Sequence, residues 1–176
     1  VFSALPFEAP WDCVADILGG GRTSIFYKNL VSTGRTVQAA VSHPCRELAC
    51  EFQLLALANP SVEPQLDDLY QRFQDALIEF EQRGVQLDDL ARVKMSLESG
   101  MVYGLQSVSR KVSMLANGQL YAQQPDLVQI DIDRYNAVTA DDVIRVYQPY
   151  IKNNPAVVLS IVPQGQTTLA VSTPLS

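Results

Sequence analysis

Three consecutive glycines between two helix-spaced apolar stretches constrain this chain more than any other feature. From Ile17 to Val41 it reads ILGGGRTSIFYKNLVSTGRTVQAAV. Upstream, Trp11, Val14, Ala15 and Leu18 recur at the three- and four-residue spacing of one helical face. That spacing predicts a helix from Ala9 or Pro10 to Leu18, proline suiting the first turn. Gly19-Gly20-Gly21 ends it. Ile25, Phe26, Tyr27 and Leu30 repeat the spacing across Ser24 to Val31, Gly34 follows as a terminator, and Thr36 to Ser42 reads as a strand. Helix, glycine turn, helix and strand thus follow one another without a linker, and glycine's tolerance of positive φ lets the two helices pack at an angle.

A second strand is expected over Glu47 to Ala58. The intervening His43-Pro44-Cys45-Arg46 carries a proline that breaks ladder pairing, so the two strands read as a hairpin. Leu69, Tyr70, Phe73, Ala76, Leu77 and Phe80 mark an amphipathic helix from Leu66 to about Gly84, with Asp67, Asp68, Asp75, Glu79 and Glu81 off its apolar stripe. Further helices are expected from about Leu87 to Tyr103 and from Ser107 to Ala122. A third follows Thr139, where Thr139 and Asp142 have the spacing of a capping box. Ala156 to Val162 is almost continuously apolar and too short for a typical helix, so it is expected as a central strand. Phe2 to Leu5 also reads as a strand. This order predicts an α/β (α+β) domain, a two-layer sandwich with a mixed or antiparallel sheet and helices packed on one face. The domain spans residues 1–164, and residues 165–176 form a polar tail or the start of a linker.

A chain of 176 residues with 47% apolar content suits one domain with a proper core. Its net charge of -6 and scattered basic residues give no footprint for phosphate backbones, so nucleic acid is not an expected partner. No apolar run is long enough for a membrane span, and the first residues lack a signal-peptide pattern. Because the chain starts at Val1, it is expected to be a piece of a longer polypeptide whose targeting signal lies elsewhere. The three cysteines, Cys13, Cys45 and Cys50, form neither a C-x-x-C pair nor an even framework. Cys13 and Cys50 are therefore expected as buried free thiols, and Cys45, beside Pro44, as more exposed.

The segment Leu18-Gly19-Gly20-Gly21-x-x-Ser24-x-x-Tyr27-x-x-Leu30, with Gly34 and the strand Thr36 to Ser42, resembles the insulinase, pitrilysin and mitochondrial-processing-peptidase family of zinc metallopeptidases. The resemblance continues to about Gln164. It implies a zinc-dependent endopeptidase fold in which the catalytic unit carries H-x-x-E-H on a helix, two imidazoles and a later carboxylate holding the metal while the first glutamate activates water. This chain has one histidine, His43, and no such motif. Some members also place arginine and tyrosine after the leucine matched by Leu30 to grip substrate; those places hold Val31 and Gln38. The resemblance therefore implies a noncatalytic domain, most like the second unit of a bacterial long-chain member. It would pack beside a zinc-bearing homologous domain and help wall a peptide chamber. No catalytic, cofactor-binding or metal residue is assigned within the chain; zinc is expected in the neighbouring domain, peptide as the chamber's substrate, and the bacterial periplasm or cell envelope as the compartment. The alternative is a metal-free structural subunit, as in respiratory-complex core proteins.

Three other chemistries find partial matches among the residues. A thiol hydrolase would use Cys45 with His43 as base, but two positions on a turn do not create that geometry. The glycine run lacks the lysine and the preceding strand of a phosphate loop. Asp67-Asp68, Asp88-Asp89 and Asp131 to Asp133 could be cation sites, yet helix-dipole complementation already accounts for the first two.

Overall fold

The fold is taken from a computed structural model that describes residues 8–46, 49–63, 65–152 and 154–172. Helix α1 (Glu8–Gly19) forms where the apolar spacing places it and is the centre of the core. Its Ala9, Cys13, Val14, Ile17 and Leu18 are buried together with Ile25, Phe26 and Leu30 from the segment that follows. Gly19 has a packing role: a Cβ there would collide with the main-chain nitrogen and side chain of Val41. Glycine thus lets the end of α1 rest directly on the strand, which a larger residue would lift away.

The expected second helix is a short segment whose Tyr27–Val31 portion is wound as a π-type turn. Ser24 Oγ accepts from Tyr27 N–H at 3.2 Å and donates to Gly21 O at 2.8 Å, tying the segment's start to the glycine turn. Strands β1 (Thr36–Ser42) and β2 (Gln53–Ala58) pair antiparallel, with Ala40 opposite Leu55 and Val41 opposite Leu54. Alternation sends Ala39, Val41, Leu54, Ala56 and Ala58 toward the helices, while Leu55 and Leu57 stay on the open face. Helices therefore cover one side of the sheet, as expected. At the far end of the hairpin Arg35 pairs with Glu63 at 2.5 Å.

Helix α2 (Leu66–Arg83) buries Leu69, Ala76 and Phe80 and stops at Gly84, whose φ of 67° is left-handed and favours glycine. Phe73 of α2 stacks on Phe26 at 5.2 Å. Helices α3 (Leu87–Gly104) and α4 (Val108–Asn117) follow, α4 running into a π-type segment, Gly118–Ala122. Helix α5 (Val128–Ala137) was not expected: its near-alternation of apolar and polar residues hides a helical face that buries only Tyr135. Helix α6 (Ala140–Tyr150) starts from the expected capping box at Thr139 and Asp142 and buries Val143, Val146 and Tyr147. Among the described residues no helix is long and apolar enough to cross a membrane.

Two expectations need correction. The second strand begins at Gln53 rather than Glu47; Glu47 and Leu48 lie outside the described residues, and Cys45 and Cys50 on either side of them face each other in an isolated antiparallel bridge. Ala156 to Val162 is not a central strand. Among the described residues the sheet has two strands, and no backbone hydrogen bond ties this run to either of them. A strand needs neighbours for its N–H and C=O groups, and apolar composition alone supplies none. The expected strand at Phe2 to Leu5 lies outside the described residues.

Candidate functional site

The residues with chemical potential gather where the tip of the β1–β2 hairpin meets the first turns of α1. Pro44 ends the ladder after β1, and the chain then closes a second, smaller hairpin. In it Arg46 N–H donates to Ala49 O at 2.9 Å and Glu51 N–H to Pro44 O at 3.0 Å. That reversal sets Cys45 opposite Cys50, and the two form a disulfide. The expectation of a free, buried Cys50 is thus overturned; four intervening residues carry no disulfide signature, and only the reversal after Pro44 brings the sulfurs together. Cys13 is free and buried as expected, with burial and the nearby Asp12 carboxylate pushing its thiol up to about 12.

His43, the only histidine, leaves β1 and turns its ring against α1. Its side chain is 5% exposed. Trp11 lies nearly parallel to it at 5.6 Å, and Nδ1 is 3.1 Å from Asp12 Oδ1. The other Asp12 oxygen accepts the Tyr135 hydroxyl at 2.5 Å, so a residue of α5 holds the carboxylate that holds the imidazole. Burial first, and then the Asp12 charge and hydrogen bond, raise the Tyr135 phenol far above its ordinary value, so it stays a donor at any ordinary pH. Cys45 Sγ stands 3.7 Å from His43 Nε2 and 3.9 Å from Nδ1. Being almost equidistant from both nitrogens, the sulfur is aimed at neither as a thiol would be at its base, and it is already bonded to Cys50. The Cys45 nucleophile has no geometry behind it.

Glu8, the first residue of α1, faces the same corner. It is 5% exposed, its Oε1 is 3.8 Å from Cys50 Sγ, and its Oε2 has no hydrogen-bond partner among the described residues. Burial raises its pKa, a tendency opposed by Arg134 and His43. Glu8, Trp11, Asp12 and Tyr135 carry no sequence signal as site residues, because α1, the hairpin tip and α5 meet only in the folded chain.

Elsewhere the candidate residues have ordinary occupations. Asp67 accepts from Ser172, Asp89 is paired with Arg83, and Asp131 lies 3.0 Å from Arg134 while Asp133 accepts from Gln129. A cleft of about 550 Å³ beside α4 and α5 is lined by Met114, Leu115, Pro125 and Leu127, and the pKa of Asp131 in its wall is raised by burial with Arg134 acting against it. No pair of carboxylates poised for acid and base roles arises there. A hydrolytic zinc of the kind that uses H-x-x-E-H does not fit these residues, since a single imidazole on a hairpin connection cannot supply two helical ligands.

Neither a family model nor a curated protein matches the sequence. Solved structures do match the fold. A protease from Helicobacter pylori superposes with a TM-score of 0.72 at 18% identity over 85% of this chain, and this chain spans only 36% of that protein. The inactive peptidase domain of a protein described as a zinc protease from Bordetella parapertussis gives 0.69 at 17% identity, covering 81% of this chain and 76% of that one. The periplasmic protease PqqL from Escherichia coli gives 0.66 at 13% identity, over 84% of this chain and 16% of its own length. The chain therefore has the α+β fold of peptidase domains, among them one that is inactive.

Proposed function

We propose that this chain is a noncatalytic domain of an insulinase-like zinc metallopeptidase, packing beside a zinc-bearing homologous domain and helping to wall its peptide chamber. The observation that carries this reading is the conjunction of a peptidase-domain fold with a single histidine that lies on a hairpin connection rather than on a helix. The likeness to an inactive peptidase domain supports it, as does the short span of this chain within the Helicobacter protease, which leaves room there for further domains. The open sheet face with Leu55 and Leu57 offers apolar surface of the kind that would line a wall for unfolded peptide. The match to a periplasmic protease favours the periplasm or cell envelope of a bacterium as the compartment.

The test is cleavage. The purified chain, incubated with quenched fluorescent peptides with and without added zinc, is expected to cleave none. Added to a zinc-bearing homologous domain from the same organism, it is expected to raise chelator-sensitive cleavage. Zinc-dependent cleavage by the chain alone would overturn the reading, and absence of any effect on the zinc-bearing domain would favour the metal-free structural subunit instead.

A further inference from the structure

The corner built from α1 and the hairpin tip contains more than a disulfide needs. Cys45 and Cys50 would be fixed by the bridge alone, yet around them stand an almost fully buried imidazole, a carboxylate holding its Nδ1, a tyrosine holding that carboxylate, and a buried glutamate with an unused oxygen. One donor atom from each of His43, Cys45 and Cys50 can be chosen so that all three lie within 4.8 Å of one another. Three donors so close could hold one metal ion, and His43 already has Asp12 on its other nitrogen.

We propose that Cys45, Cys50, His43 and Glu8 form a closed, redox-gated site for a zinc-class divalent cation, with Asp12 orienting the imidazole. The donor set is two sulfurs, one nitrogen and one oxygen, a mixture that suits tetrahedral zinc. Thiolates at about 2.3 Å from zinc stand about 3.8 Å apart across a tetrahedron. The spacings already present are 3.7 Å from Cys45 Sγ to His43 Nε2 and 3.8 Å from Cys50 Sγ to Glu8 Oε1, so these pairs need little adjustment, while Glu8, outside the cluster of three, has to swing inward to complete the set. Nε2 is the nitrogen for the metal because Nδ1 faces Asp12, the outer-shell partner that fixes a ligating histidine's tautomer and ring orientation. Glu8 points to a ligand independently: its carboxylate is buried against Cys50 with an oxygen that no described residue satisfies.

The gate is the disulfide. With the bridge intact the sulfurs are bonded to each other and carry no thiolate. A dithiol reductant breaks the S–S bond: the bridge takes up two electrons and two protons to give two thiols, and the dithiol becomes a disulfide. The cation then displaces the two thiol protons to water and binds both thiolates. Four protein donors leave no position for water, so the site is structural rather than hydrolytic and does not depend on the peptidase reading. Its effect is a change of staple. The disulfide ties the hairpin tip to itself, whereas the metal ties the tip to the start of α1.

Cobalt tests this directly. The chain is reduced with a phosphine, which becomes its oxide with oxygen from water, and is titrated anaerobically with Co²⁺ beside the unreduced chain. One equivalent should bind to the reduced form alone, with the sulfur-to-cobalt charge-transfer and intense visible bands of tetrahedral thiolate coordination, and zinc should displace it. Asp12→Asn should keep the spectrum and lower affinity roughly 10- to 100-fold, Glu8→Gln should weaken binding, Cys45→Ser or Cys50→Ser should at least halve the charge-transfer bands, and the double Cys→Ser variant should remove them. Uptake by neither form, or equal uptake by both, overturns the proposal without any variant. Unchanged affinity in Glu8→Gln overturns the closed site, and unchanged affinity in Asp12→Asn overturns the orienting role.

Discussion

Helix α1 and the run Ala156 to Val162 are both rich in apolar residues, yet they end in opposite surroundings. Ala9, Val14, Ile17 and Leu18 are inaccessible or nearly so, whereas Val157, Leu159 and Ile161 are 98%, 81% and 85% exposed. A helix pairs its own backbone N–H and C=O groups and needs only a face to pack against. An extended segment must find its backbone partners in another strand before burial becomes favourable. Among the described residues the run 156–162 has the composition for the inside of a sheet without the neighbour.

The comparison is broken most forcefully from the buried side. Leu18→Ala removes a fully buried side chain from the helix on which β1, α3 and α6 all pack. It should cost about 2–5 kcal/mol, or roughly 2–4 °C in Tm for each kcal/mol, measured by thermal or urea unfolding. A loss under about 0.5 kcal/mol, the range of surface changes, would show that α1 is not the centre of the core.

An intermediate effect belongs to the capping box of α6. Thr139 Oγ1 donates to Asp142 Oδ2 at 2.6 Å and accepts from Asp142 N–H at 3.2 Å, while Thr139 N–H donates to the same carboxylate at 3.0 Å. Thr139→Ala should therefore cost about 1 kcal/mol. These hydrogen bonds, the side-chain one first, hold the Asp142 pKa below the ordinary aspartate value. A depressed folded-state pKa means the unfolded chain takes up the proton first as pH falls. The contribution is therefore complete above the ordinary aspartate range and is lost as pH drops through the folded value. Unfolding of wild type and Asp142→Asn across acidic pH should converge there, and a constant difference would deny the box its charge.

What the residues disclosed and what they concealed divides along the same line. Local signals read well: the α1 face, the glycine stop at Gly84, the bounds of β1 and of α2, and the Thr139 box follow from spacing and capping within a few residues of chain. Signals that depend on distant partners did not. Tyr135 meets Asp12 across 123 positions and His43 meets it across 31, and no periodicity encodes such meetings. The Cys45 to Cys50 bridge depends on a reversal at the hairpin tip, and α5 was concealed because its sequence alternates like a strand. The lack of an H-x-x-E-H motif is visible from composition alone, since the motif needs two histidines and the chain has one.

The smallest effect is the most informative about the exposed run. Leu159→Ser in the isolated chain should change stability by less than about 0.5 kcal/mol, because a side chain already 81% in water has little burial to lose. Backbone amides of 156–162 should exchange with deuterium almost as fast as in an unfolded peptide, while those of α1 exchange slowly. If Leu159→Ser instead costs as much as Leu18→Ala, or the run is already protected in the isolated chain, then the segment is paired in solution and the contrast with α1 disappears.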